Sequence, residues 1–301
     1  MKAFQVKIKG QFLDYRIGKK LNLNEIKKFF EEKGYNITKF IPQQRHVCAI
    51  LSLPTQQDNL FLKLSTAKGI SIVTENEAAW NDFVSARLPV PRNLDRGYYK
   101  NDYFYIITNH IDGPLATYEV AEVKIDEIIT LSEKIFSLKI PLLPADIYNP
   151  GKNHQEKFIN KVKSHFESIP QEVKQKYQLE KSLQLIGVGA LILECRPRHG
   201  DFAPWHLLST SHFSLIDGEH AMSQSVEYYD IGYFIQRVFS VWKKPDLAKR
   251  VYHKLMKRNY DREKLKTILL ARSIGGFLDE SLNPTPDYKI HEEFKSWVLS
   301  T

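Results

Sequence analysis

The sequence has few features that would tie it to a membrane or to an oxidising compartment. Its two cysteines, Cys48 and Cys195, lie far apart, so a disulfide framework is not expected and a reducing cytoplasm is the predicted location. No apolar run approaches the roughly 20 residues that cross a bilayer. The first residues alternate charged and apolar side chains and lack the apolar region of a signal peptide. These absences predict a cytoplasmic protein without a membrane partner.

Two kinds of phosphate-binding sequence are also missing. The chain is basic, with a formal net charge of +8, but its lysines are scattered among glutamates. No basic run is interleaved with aromatic residues, so a nucleic-acid partner is not expected. The short segment Gly187-Val188-Gly189 lacks the Lys-Ser/Thr pair of a phosphate loop. The charge therefore either attracts phosphate-bearing ligands or reflects a generally basic surface.

What the sequence does contain is a strand-rich first part and a helical second part. Its 43% hydrophobic content allows one large domain or two lobes with their own cores. Apolar alternation and runs predict strands at residues 3–8, 12–17, 37–41, 46–53, 59–64 and 103–108. Helical spacing predicts helices at residues 24–32, 74–84, 125–138, 158–166, 173–185, 228–241, 245–258, 261–280 and 288–299.

The breaks between these segments predict where the first helix and the first lobe end. Asn24 is expected to cap the first helix and Gly34 to end it, since both residue types favour those positions. The turn Asp112-Gly113-Pro114 is expected to act as a hinge. The predicted organisation is a strand-rich N-terminal lobe with an N-terminal extension, residues 1–112, and a helical C-terminal lobe, residues 113–301.

The most informative stretch runs from His199 to Leu208 and resumes from Ser214 to Glu219. A His-Gly turn precedes Asp201, and His206, a possible metal ligand, follows five residues later. Two short apolar runs then flank a turn, and the second run ends at Asp217. The pattern predicts a loop and a hairpin that bring the two aspartates close together. One carboxylate can then face a nucleophile while the other holds a metal ion.

A lysine in the third strand of the meander is the other candidate. Lys63 interrupts the apolar run Leu60–Leu64. It is either an edge residue with its ammonium group in water or a lysine directed at phosphates in a cleft. Glu77, near the start of the next predicted helix, either complements the helix dipole or pairs with Lys63.

The order of these residues resembles that of a known family. The segments His199–Leu208 and Leu215–Glu219 are similar to His-Gly-Asp-Phe-Ala-Pro-Trp-Asn-Leu-Leu and Leu-Ile-Asp-Trp-Glu of the aminoglycoside phosphotransferase and choline-kinase-like family. Leu88–Pro91 and Asp230–Phe234 resemble further segments of that family. The resemblance spans about residues 36–280 and is most specific at residues 199–219.

The resemblance implies a fold and an activity. The fold is a protein-kinase-like α+β fold of two lobes, with an antiparallel sheet in the first lobe and the catalytic loop in a mostly helical second lobe. The activity is a small-molecule kinase that moves the γ-phosphate of ATP or GTP, with Mg²⁺, to a hydroxyl of a small hydroxylated substrate. Phosphoryl transfer needs mainly positioning and charge stabilisation, and the residues present supply both.

The resemblance also implies a role for each matching residue. Asp201 would be the catalytic base, and Asp217 would bind Mg²⁺. Lys63, held by Glu77, would touch the α and β phosphates. Two further positions would be structural: His199 and Asp230, with Asp230 accepting hydrogen bonds from the backbone of the catalytic loop.

The sequence departs from the family pattern at three places. His206 stands where the family has the asparagine that binds a second metal ion, and an imidazole suits softer metals than Mg²⁺. Gly218 replaces the common tryptophan after the metal-binding aspartate, which leaves the carboxylate in place. The predicted phosphate-covering loop Ile41–Arg45 contains no glycine.

Two other functions compete with the kinase. A metal-dependent hydrolase would use the His and Asp residues crowded into one stretch, which are His199, Asp201, His206, His212, Asp217 and His220. A noncatalytic nucleotide-binding protein of the same fold would explain the change at His206. An aminoglycoside substrate, which is a polycation, would need an acidic pocket, and the one acidic cluster, Glu119, Glu122, Asp126 and Glu127, equally fits a solvated helix start.

Overall fold

The computed structural model describes residues 4–8, 11–54 and 58–301. Its strands are β1 Gln5–Ile8, β2 Gln11–Asp14, β3 Asn36–Ile41, β4 His46–Ser52, β5 Leu60–Ser65, β6 Asn93–Tyr99, β7 Tyr103–Asn109, β8 Cys195–Arg198, β9 Leu207–Ser209, β10 Phe213–Leu215 and β11 Met222–Val226. Its helices are α1 Leu23–Glu32, α2 Lys68–Val84, α3 Tyr118–Val123, α4 Ile125–Phe136, α5 Pro144–Tyr148, α6 His154–Glu167, α7 Gln171–Lys176, α8 Leu179–Gly189, α9 Tyr229–Ser240, α10 Pro245–Lys257, α11 Arg262–Glu280 and α12 Lys289–Ser300. No helix of this described part is long and apolar enough to cross a bilayer.

A five-stranded antiparallel sheet forms the first half of the molecule, in the order β3-β4-β5-β7-β6. Helix α1 covers one face and buries Ile26 and Phe30 against apolar residues of the sheet such as Leu62 and Ile107. The predicted strands at β3, β4, β5 and β7 are confirmed. The first predicted strand corresponds to β1, and residue 3 lies outside the described residues.

Strand β6 was not predicted from the sequence. It lies at the edge of the sheet, and its side chains alternate between half-buried and exposed, except for the buried Tyr99 at its end. The charged pair Asp95-Arg96 falls in its middle. Charged residues are common on edge strands because they discourage pairing with other chains, and they also erase the apolar pattern. Only pairing with β7 reveals this strand.

Helix α2 begins earlier than the sequence indicated. It starts at Lys68 rather than Thr74, without a side-chain cap. The residues that begin it include Gly69 and the β-branched Ile70 and Val73, which have low helix propensity. Ile70 and Val73 are fully buried, so tertiary packing overrides that propensity. The cap of α1 also differs, because the side chain of Asn22 accepts from the backbone N–H of Asn24 (3.0 Å).

The second half is helical, with a core built around α9 and α11. Buried side chains such as Phe234, Ile268 and Phe277 belong to one cluster, which also includes Trp80 of α2. The single helix predicted at residues 173–185 is wrong: α7 and α8 are separated at Gln178, whose φ of 48° is left-handed and not helical. The other predicted helices agree with the structure to within a turn or so.

The fold class is therefore the predicted α+β arrangement of an antiparallel sheet and a helical body. The connection between them runs through residues 110–117, where Ala116 N–H donates to Leu207 O (2.7 Å) and Ser209 N–H donates to Pro114 O (2.8 Å). These bonds hold the connection beside β9. The division into residues 1–112 and 113–301 stays a prediction.

Candidate functional site

The predicted hairpin brings its polar ends together. Strands β9 and β10 pair antiparallel, with Leu207 opposite Leu215. Ile216 N–H donates to His206 O (3.0 Å), which extends the pairing by one residue at this end. As a result His206 and Asp217 face each other, with Nε2 of the imidazole 3.3 Å from Oδ2 of the carboxylate.

Lys63 lies inside a cluster of carboxylates and not at a wet edge. Its strand, β5, is the centre of the sheet, and the residue is only 7% exposed. The ammonium Nζ lies 2.6 Å from Glu77 Oε2, 2.5 Å from Asp217 Oδ1 and 3.4 Å from Glu219 Oε2. A buried lysine needs such partners because its charge cannot be solvated. The Lys63–Glu77 contact is the one that sequence position indicated.

The charged groups of this cluster shift one another's pKa values. Burial alone would lower the pKa of Lys63, but Asp217, Glu77 and Glu219 raise it well above its usual value. Burial raises the pKa of Glu77 to about 7, against the attraction of Lys63. Burial also acts to raise the pKa of Asp217, yet Lys63 and His206 hold it well below its usual range. Asp217 is therefore the carboxylate kept ionised and ready to bind a cation.

Two residues of this cluster were missed by sequence reasoning. Glu219 is fully buried and accepts a bond from Arg45, whose Nη2 lies 2.6 Å from Oε1. Arg45 comes from the glycine-free loop between β3 and β4. Glu219 could have been found, because it is the last residue of the family-like segment that ends the hairpin. Arg45 carries no local signal, since it reaches the site only through folding.

Gly218 is explained by its neighbour Trp80. A Cβ atom added at Gly218 would lie 2.4 Å from Cδ1 of that tryptophan, so a larger residue does not fit here. The short 3-10 turn Gly218–His220 is held by Asn76 Nδ2, which donates to Ala221 O (2.9 Å) and Glu219 O (3.2 Å). Trp80 of α2 thus fills the space beside Gly218.

The loop before the hairpin is held by Asp230 at the start of α9. Its carboxylate accepts from the backbone N–H of His199 (2.8 Å) and of Gly200 (2.9 Å). Burial raises the pKa of Asp230 to about 6, against these two hydrogen bonds. Gly200 has a φ of +88°, and a Cβ there would lie 2.2 Å from His220 O, so the turn requires glycine.

The loop presents Asp201 and buries His199. Oδ1 of Asp201 is buried and has no hydrogen-bond partner among the described residues. A buried hydrogen-bond acceptor without a donor costs free energy unless a ligand donates a hydrogen bond to it. The ring of His199 is fully buried at the edge of Trp80, with centroids 5.9 Å apart, and burial lowers its pKa to about 4. His199 is therefore a neutral packing residue.

A first cavity, here named the sheet cavity, lies between the sheet and the hairpin and has a volume of about 720 Å³. Its charged wall carries Lys63, Glu77 and Asp217, with His206 beside them. Its apolar wall is formed by residues of β5, β7 and the hairpin side, which include Phe61, Ile106, Leu115, Leu208 and Ile216. A flat apolar group with a charged tail fits such a space.

A second cavity, here named the helix cavity, has a volume of about 420 Å³. It lies between the antiparallel pair β1–β2 and helices α6, α9 and α11. Asp201 lines it, whereas Asp217 lines the sheet cavity. Gln44 and Arg45 line both cavities. Asp201 and Asp217 thus line two different but adjacent cavities, which meet at the β3–β4 loop.

The donor set fits a divalent metal ion at the junction. Ligand atoms of Asp201, His206 and Asp217 lie within 4.8 Å of one another, and so do those of Glu77, Asp217 and Glu219. Nδ1 of His206 lies 2.8 Å from Asp201 O. Burial alone would lower the pKa of His206, but Asp201 and Asp217 raise it, so the ring pairs with Asp217 when it is protonated. In the neutral ring that donates from Nδ1–H, Nε2 is the ligand atom. One imidazole and several carboxylates suit Mn²⁺ as well as Mg²⁺.

The other histidines of the predicted cluster lie elsewhere. The side chain of His212 is 84% exposed beside Glu127, and the ring of His220 packs against Tyr15 with centroids 5.3 Å apart. The structure therefore gathers Asp201, His206 and Asp217 but not the full set that a histidine-rich hydrolase site would use.

Comparison with known proteins gives a fold. No protein-family model matches the sequence, and no curated protein does either. Solved structures do match. A thermostable mutant of aminoglycoside phosphotransferase APH(4)-Ia, in a ternary complex with ADP and hygromycin B, is similar with a TM-score of 0.64 at 13% identity, over 92% of this chain and 96% of that chain. The GDP complex of wild-type aminoglycoside 2'-phosphotransferase-IIIa gives a TM-score of 0.64 at 11% identity, over 91% of this chain and 98% of that chain.

The chain has the aminoglycoside phosphotransferase fold. The likeness covers more than nine-tenths of this chain and of each of the two similar chains, so it extends over nearly the whole fold. The resemblance inferred from the residues is confirmed at the level of the fold. The roles of individual residues do not follow from identities of this size and have to be argued from the site.

Proposed function

We propose that this protein is a small-molecule phosphotransferase that moves the γ-phosphate of ATP or GTP to a hydroxyl group. The observation that carries the proposal is the convergence of Lys63, Glu77 and Asp217 in the sheet cavity, next to Asp201 in the adjoining space. Phosphoryl transfer needs a clamp on the phosphates and a base near the acceptor, and these two groups are placed to supply them.

The sheet cavity is the proposed nucleotide site. Its apolar wall would take the base, and Lys63, oriented by Glu77, would bind the phosphates. Its volume of about 720 Å³ lies within the usual range for small-molecule sites. The similar structures are complexes with ADP and GDP, which agrees with a nucleotide in this fold.

Asp217 and His206 would hold the metal ion. Bound there, Mg²⁺ or Mn²⁺ would supply positive charge that stabilises the negative charge developing during transfer. Lys63 contacts Oδ1 of Asp217 at 2.5 Å, and Nε2 of His206 lies 3.3 Å from Oδ2, so the two oxygens of this carboxylate face different partners. Glu219 and Arg45 would fix the position of this group from behind.

Asp201 would act as the base. Its unpartnered Oδ1 would accept the proton of the acceptor hydroxyl. The bond between the γ-phosphorus and the bridging oxygen of the nucleotide breaks, a bond to the acceptor oxygen forms, and the proton passes to Asp201. Asp230 and His199 would keep the loop rigid, one through backbone hydrogen bonds and the other through packing.

Thermal unfolding with ATP or GTP, with and without Mg²⁺ or Mn²⁺, tests the nucleotide site. A ligand at about 100 times its Kd stabilises the folded state by about 2.7 kcal/mol. We expect a metal-dependent rise in Tm for the wild type and for the exposed control Asp246→Ala, and none for Asp217→Ala. Equal shifts in Asp217→Ala and the wild type would contradict the proposal.

A noncatalytic nucleotide-binding protein is the second candidate, and the observation that favours it is His206 in place of asparagine. The two candidates share the thermal-shift result and differ in turnover. Release of ADP that depends on an added hydroxylated compound supports the transferase, whereas nucleotide binding without any transfer across a broad panel supports the second candidate.

A further inference from the structure

The charged residues that line the helix cavity are mostly basic, whereas a pocket that binds a polycation is expected to be acidic. Among the described residues that line it, two are carboxylates, Asp201 and Asp279. Six carry arginine or lysine side chains, namely Arg16, Arg45, Lys161, Arg198, Arg237 and Arg272. The histidines at 165 and 220 are also there, and burial lowers the pKa of both, so they add no charge near neutral pH.

Two of these cations are neutralised within the protein. Arg237 pairs with Asp279, with Nη1 2.7 Å from Oδ2, and Arg45 pairs with Glu219 at 2.6 Å. These pairs use Asp279 and a carboxylate from outside the cavity. Of the two carboxylates that line the cavity in the described part of the chain, Asp201 is then the one without an arginine or lysine partner. Asp230, which does not line the cavity, also interacts with the charge of Arg198.

Arg198 and Arg272 are held by neutral groups. Arg198 lies over the ring of Tyr229, 3.9 Å from its centroid, and donates to Met222 Sδ. Arg272 is 6% exposed, lies 4.1 Å from the centroid of Tyr233 and donates from Nη1 to Tyr229 OH (3.2 Å). In each, Nε is buried without a hydrogen-bond partner in the described part of the chain. Stacked guanidinium groups with unused N–H donors are typical of carboxylate and phosphate sites.

Lys161 lies in the same wall and responds to these neighbours. Burial, followed by the charges of Arg198 and Arg272, lowers its pKa to about 8. Like charges in one buried space repel one another, which is why the arginines add to the lowering of the Lys161 pKa. A bound anion would remove that repulsion.

The acidic residues that an aminoglycoside would need lie on another surface. Glu122 pairs with Arg250, and Asp126 pairs with Lys254 and Arg258, so both are used in contacts between α3–α4 and α10. None of the four acidic residues at positions 119–127 lines the helix cavity. Their pairing explains them as surface contacts.

We propose that the acceptor is an anion: a hydroxylated compound that carries a carboxylate or a phosphate group, bound by Arg198 and Arg272 in the helix cavity. The proposal rests on the proposed function, because Asp201 in the same cavity would face the acceptor hydroxyl. Phosphorylated sugars and sugar acids share this chemistry, and neutral or cationic sugars lack it.

Isothermal titration of the full-length protein without nucleotide tests the pocket directly. The probes are inorganic phosphate, glucose 6-phosphate and gluconate as anions, glucose as the neutral compound, and kanamycin as the cation. We expect the anions to bind and glucose and kanamycin not to. Arg198→Gln should weaken anion binding roughly tenfold to a hundredfold, as for loss of a charged hydrogen bond.

Arg196→Gln is the matched control, because Arg196 lies two residues away on β8, is exposed and pairs with Glu194 at 2.9 Å. It should bind anions like the wild type. If Arg198→Gln does not fold, Arg272→Lys replaces it, since that variant keeps the charge and loses the planar fork. Comparing the affinity for inorganic phosphate with that for gluconate then shows whether the pocket prefers a phosphate or a carboxylate group.

Failure of this proposal is distinct from failure of the proposed function. Metal-dependent ATP or GTP binding without anion binding, or anion binding that Arg198→Gln leaves unchanged, overturns the anionic acceptor and leaves the nucleotide site intact. Kanamycin binding that Arg198→Gln strengthens also overturns it. Anion binding that is lost in Arg198→Gln supports the pocket whether or not nucleotide binds.

Discussion

The sheet cavity and the helix cavity meet at Arg45 and carry opposite balances of charge. Among the described residues, the sheet cavity is lined by two cations, Arg45 and Lys63, and three carboxylates, Glu77, Asp112 and Asp217. In the helix cavity six arginines and lysines face two carboxylates. An excess of carboxylates suits a polyanion that arrives with a metal ion, whereas an excess of arginines suits an anion that arrives alone.

The Arg45–Glu219 pair lies where the two cavities meet. Glu219 is fully buried and Arg45 lines both spaces, so neither charge is available to one cavity alone. The pair separates an acidic space from a basic one within a short distance.

The largest expected effect comes from Asp201, the proposed base. Asp201→Asn keeps the shape of the side chain and removes its ability to accept the hydroxyl proton. We expect phosphoryl transfer to fall by about 10² to 10⁴. The nucleotide-dependent rise in Tm should be unchanged, because Asp201 lines the helix cavity and not the sheet cavity. The rate of transfer is measured as ADP release. A loss of nucleotide binding in this variant would contradict the assignment of Asp201 to a cavity separate from the nucleotide site.

Removing the anchor of the loop should affect stability as well as activity. In Asp230→Asn one of the two backbone N–H groups, of His199 or Gly200, faces an NH₂ group and loses its acceptor. Such a loss costs about 1–3 kcal/mol of unfolding free energy. Denaturant unfolding measures it, with the exposed Asp246→Asn as control. A cost equal to that of the control would show that the loop is held by other contacts.

The packing next to Asp217 can be tested through Gly218. Gly218→Ala places a Cβ 2.4 Å from Trp80 Cδ1, so we expect a loss of about 1–3 kcal/mol of stability from overpacking. Gly187→Ala in α8 is the control, since no atom lies within 4 Å of its Cβ position. That variant should be neutral or slightly stabilised. Equal stability of the two variants, measured by urea unfolding, would contradict the tight packing of the Asp217 turn.

The smallest expected effect concerns metal choice. His206→Asn replaces an imidazole by an oxygen donor, which Mg²⁺ prefers. We expect Mn²⁺ to support nucleotide binding at several-fold lower concentration than Mg²⁺ in the wild type, and the difference to shrink in His206→Asn. Manganese titration followed by electron paramagnetic resonance checks this apart from activity. An unchanged ratio of the two metals would mean that His206 is not a ligand.

Sequence reasoning found the residues that local pattern marks. The hairpin with Asp201, His206 and Asp217 is contiguous, so its order in the chain nearly fixes its geometry. Lys63 and Glu77 are separate, but each has a recognisable place in a strand or helix beside a proline motif. The fold class followed from the same segments.

The rest depends on contacts that are distant in sequence. Arg45 reaches Glu219 from a loop 174 residues away, and Arg272 lies within the regular pattern of α11. Arg198 precedes the loop directly, yet only packing against Tyr229 shows where its charge is held. Strand β6 and the start of α2 were missed because edge charges and buried β-branched residues obscure the local pattern.

The central claim is that the two cavities bind two different ligands, and one thermal-shift experiment tests it. Wild type, Asp217→Ala and Arg198→Gln are each unfolded with metal–ATP and, separately, with inorganic phosphate. The account predicts that Asp217→Ala loses the response to ATP and keeps that to phosphate, while Arg198→Gln does the reverse. Variants that lose both responses together, or neither, would contradict it.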